Sequence, residues 1–230
     1  MRAPAAYARS VRLLDALLPQ RCLVCRGPAG ALCPACVGTL PRVRPPLCER
    51  CGAPTAWPVR RCRECEGRRL AFSSARAAVR YDGAVGVVVS AWKERGLRGL
   101  AGLAAALVVE AVPRVEVELL TFVPADGDRS LKRGHHPAER LAHELGARWE
   151  LPVAPLLDRA RSPRPQRGLP LAERRRNVAG AFRASGRVPA RVVLVDDVYT
   201  SGATVAASAS ALRRAGAGRV EVVTFARAIR

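Results

Sequence analysis

Aromatic side chains make up only 4% of the 230 residues, so the chain has few of the flat platforms on which single-stranded nucleic acid stacks. Lysine is nearly absent. Lys93 and Lys132 are the only two, and arginine provides the rest of the 39 basic residues. Acidic residues number 19, which leaves a formal charge of +20. That surplus favours polyanionic partners such as nucleic acid or nucleotides. The arginine skew, alongside abundant Ala, Gly, Pro and Val, also fits a GC-rich coding genome, so charge alone does not establish DNA binding. No apolar run reaches the length of a membrane span, and the longest, residues 103–112, contains Glu110. The first 20 residues lack the long apolar stretch and small-residue cleavage site of a secretory signal. These absences point to the cytoplasm and against membrane insertion. The histidines are three, His135, His136 and His143. Adjacent helical residues point in different directions, so the first two do not suggest a metal site.

Cysteine is missing from the last two-thirds of the chain, and all eight lie in four Cys-x-x-Cys pairs: Cys22/Cys25, Cys33/Cys36, Cys48/Cys51 and Cys62/Cys65. Two thiolates three residues apart on a tight turn present both sulfurs to one metal, and two such turns complete a tetrahedral zinc site. Gly27 and Gly52 follow the first and third pairs, where a tight turn wants a small residue. The segment is rich in Pro and Arg and poor in core-forming side chains, so metal has to hold it together. A disulfide-rich domain needs a secretory context, and a redox dithiol needs one pair rather than four. Two structural Zn2+ sites are expected. Pairing first with second and third with fourth closes loops of seven and ten residues; a cross-braced pairing is the alternative. A zinc held by four thiolates has no open position for catalysis.

The chain is long enough for one α/β domain with a small appendage, and 49% hydrophobic residues suffice for a core. We expect a tail or helix over residues 1–19, a double zinc ribbon over 20–67 and the main domain over 72–230. Residues 72–81 have strand character, with Ala77, Val79 and Tyr81 on one face. Residues 83–96 read as a helix with Val85, Val88, Val89 and Trp92 inward. Lys93 at its end reads most simply as a charge complementing the helix dipole. A second helix runs from about residue 97 to 112, stopped by Pro113. A strand over 115–123 delivers a loop carrying Arg129, Lys132, Arg133 and Gly134, where several fixed cations suit a diphosphate. A helix over 137–148 has Leu141 and Leu145 on its core face, and residues 153–157 suggest a short strand. Residues 159–170, crowded with Arg, Pro and Gly, read equally as a loop that closes over a ligand and as a basic surface loop.

The most informative stretch is residues 191–204. Val192, Val193, Leu194 and Val195 form the continuous apolar run of a strand buried on both faces. Asp196 and Asp197 follow, then Thr200, Ser201, Gly202, Ala203 and Thr204, and then an Ala-rich helix over 203–215. A helix start leaves backbone N–H groups unpaired, and hydroxyls beside them suit a phosphate. The carboxylates suit sugar hydroxyls or a divalent cation beside a phosphorylated sugar. A final strand spans 219–225.

The order hydrophobic strand, two acidic residues, two hydrophobic residues, Thr, Ser, Gly, any residue, Thr resembles the 5-phosphoribosyl 1-diphosphate (PRPP) motif of type I phosphoribosyltransferases, with Tyr199 as the second hydrophobic residue. With its surroundings, the chain resembles the competence protein F (ComF) family over nearly its whole length. The four cysteine pairs look like that family's double zinc ribbon. Tyr81 and Lys93, Val123-Pro124 followed eight residues later by Arg133-Gly134, and Gln166, Arg174, Asn177 and Ala181-Phe182 match its further signatures. The chain departs from the family where His135-His136-Pro137 stands for Phe-Asn-Gln and where Phe122 replaces the first proline of Pro-Val-Pro.

The resemblance implies a mostly parallel α/β sheet with flanking helices, PRPP as ligand and Mg2+ with it. It implies catalytic roles for Asp196, Asp197 and Arg133. PRPP contacts fall to Asp196, Asp197, Thr200, Ser201, Gly202, Ala203, Thr204, Arg129, Lys132, Arg133 and Gly134. It implies Mg2+-dependent phosphoribosyl transfer in DNA uptake, competence or nucleotide metabolism, beside DNA-uptake or recombination proteins. Two rivals use the same chain: a non-enzymatic binder of single-stranded DNA, and a zinc-ribbon adaptor for a partner protein.

Overall fold

A computed structural model describes residues 21–114, 116–125, 135–160 and 180–229. Among these residues the chain runs through α1 (Pro34–Thr39), β1 (Ser74–Arg80), α2 (Gly83–Glu94), α3 (Leu100–Ala111) and β2 (Leu119–Phe122). It continues through α4 (Pro137–Trp149), β3 (Leu157–Arg159), β4 (Phe182–Ala184), β5 (Arg191–Tyr199), α5 (Ala203–Arg214) and β6 (Arg219–Arg227). The centre is a four-stranded sheet in the order β1-β6-β5-β2, with every pairing parallel. β3 and β4 form a separate antiparallel pair.

A parallel sheet must be covered on both faces, and the strand alternation shows how. Val193 and Val195 of β5 pack with Leu141, Leu145 and Trp149 of α4 and with the apolar sides of α2 and α3. Val192 and Leu194 face the other way, against Val205, Ala209 and Leu212 of α5 and against Leu157 and Phe182 of the β3–β4 pair. All four β5 residues are fully buried. The mostly parallel sheet with flanking helices expected from the sequence is the one observed.

Several local expectations shift. The first strand ends at Arg80, because Asp82 then caps α2 by accepting a hydrogen bond from the backbone N–H of Val85 at 3.0 Å. Tyr81 therefore turns outward, 43% exposed, rather than inward. The strand expected over 115–123 is shorter, Leu119–Phe122, since only those residues align with β5. Val153 makes one isolated bridge to Leu120, and the strand begins later, at Leu157. β5 and β6 pair on to Tyr199 and Arg227, so Asp196 and Asp197 lie inside the strand rather than after it. The tail or helix expected over residues 1–19 and most of the loop read over 159–170 fall outside the described residues.

The cysteine-rich segment lies along the open edge of β1. The backbone N–H groups of Val43, Ala75 and Arg80 bond across this seam to the carbonyls of Ala78, Arg50 and Pro41 at 2.8–2.9 Å. An uncovered edge strand is a template for unwanted pairing, and here the ribbon fills it. Gly52 makes the close approach possible. It sits at φ +69°, and a Cβ would strike the carbonyl oxygen of Ala75 in β1. We expect Gly52→Ala to destabilise the zinc-loaded chain by about 2 kcal/mol or more, read as a lowered thermal midpoint. An unchanged midpoint would mean that the seam between ribbon and strand does not contribute to stability.

Candidate functional site

The two groups of sulfurs come together by sequential pairing: Cys22, Cys25, Cys33 and Cys36 in one, Cys48, Cys51, Cys62 and Cys65 in the other, each group within 4.8 Å. Sulfur–sulfur distances include 3.7 Å for Cys25–Cys33, 3.6 Å for Cys48–Cys65 and 3.4 Å for Cys51–Cys62. Four sulfurs at tetrahedral Zn–S distances lie about 3.8 Å apart, so both groups fit the ion with little movement. The local turns also favour thiolate. Burial by itself pushes the Cys22 thiol up, but the backbone N–H groups of Cys25, Cys33 and Val24 outweigh it and bring it down to about 6. Cys48 behaves alike, burial being overcome by the N–H groups of Cys51, Cys62 and Arg50, down to about 7. Their neighbours move up, Cys36 to about 12 through hydrogen bonding to Cys33 and burial, and Cys65 to about 11 through burial and Cys48. One thiolate in each group suppresses the next, and a divalent cation removes that conflict.

The second cluster of polar groups lies where β2 and β5 end side by side. The chain leaves β2 for α4 on one face and leaves β5 for α5 on the other. Adjacent parallel strands whose helices go to opposite faces open a crevice at their carboxyl ends. Asp196 and Asp197 stand at this position, both half-buried. The Asp197 backbone N–H donates to Asp196 Oδ1 at 2.9 Å, and Lys93 Nζ pairs with Asp197 Oδ1 at 2.8 Å. Burial first, and then the Asp197 charge, push the Asp196 carboxyl up to about 7, against the pull of Lys93 and Arg159. Two carboxylates against one ammonium form an oxygen-only donor set of the kind that suits sugar hydroxyls or a hard cation.

Beyond Tyr199 the chain turns into α5. Thr200 is exposed and Ser201 and Gly202 are buried. Gly202 occupies the N-cap at φ +69° and, without a side chain, offers no cap of its own to α5. Ser201 Oγ accepts from one of the first-turn groups, Ala203 N–H, at 3.3 Å. The first turn of a 12-residue helix thus keeps uncapped N–H groups beside three hydroxyl-bearing or small residues, an anion-binding arrangement. A Cβ at position 202 would collide with the Tyr199 hydroxyl beneath it, so only glycine fits. That hydroxyl is buried without a hydrogen-bond partner among the described residues.

The structure therefore brings Asp196, Asp197, Thr200, Ser201, Gly202, Ala203 and Thr204 into one strand–loop–helix unit. Arg129, Lys132, Arg133 and Gly134 lie outside the described residues. Just after them, His135 Nε2 lies 2.7 Å from the Trp92 carbonyl, and His136 Nδ1 caps α4 by accepting from Glu139 N–H at 3.0 Å. Burial holds the His136 imidazole below its ordinary range despite Glu139 and Asp197, in keeping with its acceptor role.

The sequence reading missed three contributors. Lys93 does stand in the last turn of α2, but it also neutralises Asp197. Arg159 donates to the Pro124 and Ala125 carbonyls at 3.1 Å each, just past the end of β2. Arg68 donates to the Ser201 carbonyl at 2.8 Å. A lysine just before a helix-ending glycine signalled the first; no local pattern signalled the other two.

A parallel α/β sheet with a carboxylate pair and an uncapped helix start at its switch point, joined to a ribbon with two four-cysteine groups, defines a small class of protein. Residues 13–66 match the double zinc ribbon domain. Over 228 residues the chain is 28% identical to the DNA utilization protein YhgH of Salmonella typhimurium, covering 92% of this chain and 99% of that protein. It is 27% identical over 224 residues to competence protein F of Haemophilus influenzae, covering 90% and 97%. The resemblance to the competence protein F family thus holds along nearly the whole chain, and the protein is a homologue of these. Among solved structures, the purine phosphoribosyltransferase of Pyrococcus horikoshii is 18% identical over 59% of this chain and 84% of that one, with a TM-score of 0.28. No helix among the described residues is long and apolar enough to cross a membrane.

The raised Asp196 carboxyl has a consequence for stability. Between the ordinary carboxylate range and about 7, the folded chain binds this proton more readily than the unfolded chain. The contribution is therefore fully present only below the ordinary value of 3.8 and is lost as pH rises through the folded value of about 7. Asp196→Asn should raise the thermal midpoint of the ligand-free protein by a few degrees at alkaline pH and leave it unchanged under acid conditions. Equal midpoints under both conditions would show that Asp196 is ionised without penalty.

Proposed function

We propose that the crevice at the carboxyl ends of β2 and β5 binds PRPP and that the protein is a phosphoribosyltransferase-like member of the DNA utilization and competence proteins. The observation that carries this reading is the single unit formed by the Asp196–Asp197 pair and the uncapped start of α5. In it the 5-phosphate sits on the backbone N–H groups and hydroxyls of residues 200–204, and the ribose hydroxyls donate to Asp196 and Asp197. Arg129, Lys132 and Arg133, with the backbone at Gly134, receive the diphosphate. Asp196 and Asp197 would hold Mg2+ bound with PRPP, and the ion would supply positive charge against the leaving diphosphate.

Transfer at such a site is largely electrostatic and positional. The bond from ribose C1 to diphosphate breaks with its electron pair leaving on oxygen, where Arg133 and its basic neighbours stabilise it. The electron-poor C1 then accepts the lone pair of a nitrogen nucleophile. Asp196 and Asp197 hold the ribose in place while this happens. Lys93 holds Asp197 correctly turned by its ion pair of 2.8 Å.

The expected result by calorimetry is PRPP binding that requires Mg2+. Asp197→Asn should weaken it about tenfold or more, the loss of a charge-assisted hydrogen bond and its partner. Diphosphate release measured against a panel of bases, amines and oligonucleotides should fall in the Asp196→Asn/Asp197→Asn variant. Wild-type protein that binds no PRPP in the presence of Mg2+ would end this reading.

A second reading, direct contact with DNA, is favoured by the +20 charge and by the DNA utilization name of the relative. Phosphate contacts release counterions, so affinity for a single-stranded oligonucleotide should fall steeply with salt. A flat salt response would remove it.

A further inference from the structure

We infer that Arg68 and Arg227 are positioning residues that hold the 199–204 loop in shape by fastening it to the second four-cysteine group, so that metal in that group and ligand in the loop stabilise each other. The inference rests on the proposed reading of the loop as a phosphate site and extends it to what keeps that site formed.

The link is built from two guanidinium forks that share one glutamate. Arg68 spans the gap directly: one nitrogen donates to the Glu64 carbonyl at 3.2 Å and another to the Ser201 carbonyl at 2.8 Å. Glu64 lies between Cys62 and Cys65 in the ribbon, and Ser201 lies in the middle of the loop. Arg227 makes the second link from the end of β6. It is 1% exposed and donates to the Glu64 carboxylate at 2.6 Å and to the Cys51 carbonyl at 2.5 Å. One of its nitrogens is 3.6 Å from Cys51 Sγ. Its guanidinium stacks over the Tyr199 ring, 4.5 Å from the centroid, and Tyr199 underlies Gly202. The ribbon turn at Glu64 and the loop at Ser201 are thus separated by one guanidinium.

Without metal, the Cys62–Cys65 turn has no fixed shape, and both forks lose their anchor. The buried Arg227 charge then loses the carboxylate that compensates it, a costly state in a dry interior. Coupling of this kind is reciprocal: if metal in the second group favours the bound form of the loop, ligand in the loop retards loss of that metal by the same factor. Among the described residues the first four-cysteine group has no such link. Arg42, which follows that group in the chain, donates to the Val37 and Leu40 carbonyls and pairs with Glu110 of α3.

The test uses the zinc-loaded full chain and two measurements. The first is amide exchange across the molecule. Arg68→Ala should speed exchange in the segment 199–204 about tenfold, the loss of one charged hydrogen bond, and leave β2 and α4 unchanged, with partial rescue in Arg68→Lys. Arg42→Ala should leave that segment at the wild-type rate. Arg227→Met replaces the buried charge with an apolar side chain and should act in the same direction; Arg68, half-buried, decides the matter if that variant does not fold. Unchanged exchange over 199–204 in Arg68→Ala would overturn the inference. The second measurement follows zinc release to a coloured chelator with and without PRPP and Mg2+. One of the two zincs should be released more slowly with PRPP, and that protection should vanish in Arg68→Ala but not in Arg42→Ala. Protection of neither zinc, in protein that binds PRPP, would overturn the coupling. Protein that binds no PRPP would end the proposed function, and exchange alone would then decide whether the ribbon holds the loop.

Discussion

Four thiols within 4.8 Å of one another are the constraint on which the rest of this molecule depends. The cysteine-rich segment has one short helix and few large apolar side chains, yet it contributes to the cores on both sides of the sheet. Cys22, Leu23, Leu32 and Cys36 join the layer of α2, α3 and α4, while Cys48, Cys51 and Cys65 join the layer of α5. The cysteine-rich segment is therefore an integral wall of the α/β unit. Its hydrogen bonds to β1 close an edge that a parallel sheet would otherwise leave open. Holding eight thiols in two compact groups is what makes that wall rigid enough to pack against.

The same sheet explains why the polar groups gather where they do. β5 is central, with β6 on one side and β2 on the other. Its stretch Val192–Val195 is fully buried, and the strand can carry carboxylates only near its far end, where the helices on the two faces diverge. Placing Asp196 and Asp197 still within the strand fixes them more firmly than a loop would. The cost is desolvation, visible in the upward push on Asp196, and Lys93 offsets part of it from the end of α2. A crevice with excess negative charge at its floor and uncapped N–H groups at its rim is poised for a ligand bearing hydroxyls and phosphate on one short frame.

Much of this was legible from local patterns. The Val192–Val195 run, the apolar faces of α2 and α4, the paired cysteines and the Thr-Ser-Gly turn each state their structure within a dozen residues. What escaped was set by partners far away in the chain. Period-two alternation pointed Tyr81 inward, but Asp82 ends the strand by capping the next helix. The strand read over 115–123 is limited by the length over which β5 aligns with it. The Arg227–Glu64 pair joins residues 163 apart in sequence, and nothing near either residue announces it. Sequential pairing of the cysteines, one of two arrangements open from spacing, also needed the three-dimensional proximity of the sulfurs.

Arginine content reads differently once its hydrogen bonds are traced. The +20 charge suggests a surface offered to polyanions, yet many guanidinium groups are engaged inside the molecule. Arg42 binds the Val37 and Leu40 carbonyls, Arg50 those of Leu70 and Ser73, and Arg76 that of Glu49. Arg68, Arg159 and Arg227 likewise donate to carbonyls of distant segments. Apart from Arg42, whose carbonyl partners lie within five residues, each joins segments distant in the chain, a task for which a planar fork with several fixed donors is suited and an ammonium is not. The scarcity of lysine is then more than a trace of base composition. A molecule whose ribbon and loops lack their own cores needs multivalent donors to satisfy buried carbonyls, and these side chains meet that need. Their charge still raises the field around the crevice, but the number free to grip phosphate is smaller than the sequence total implies.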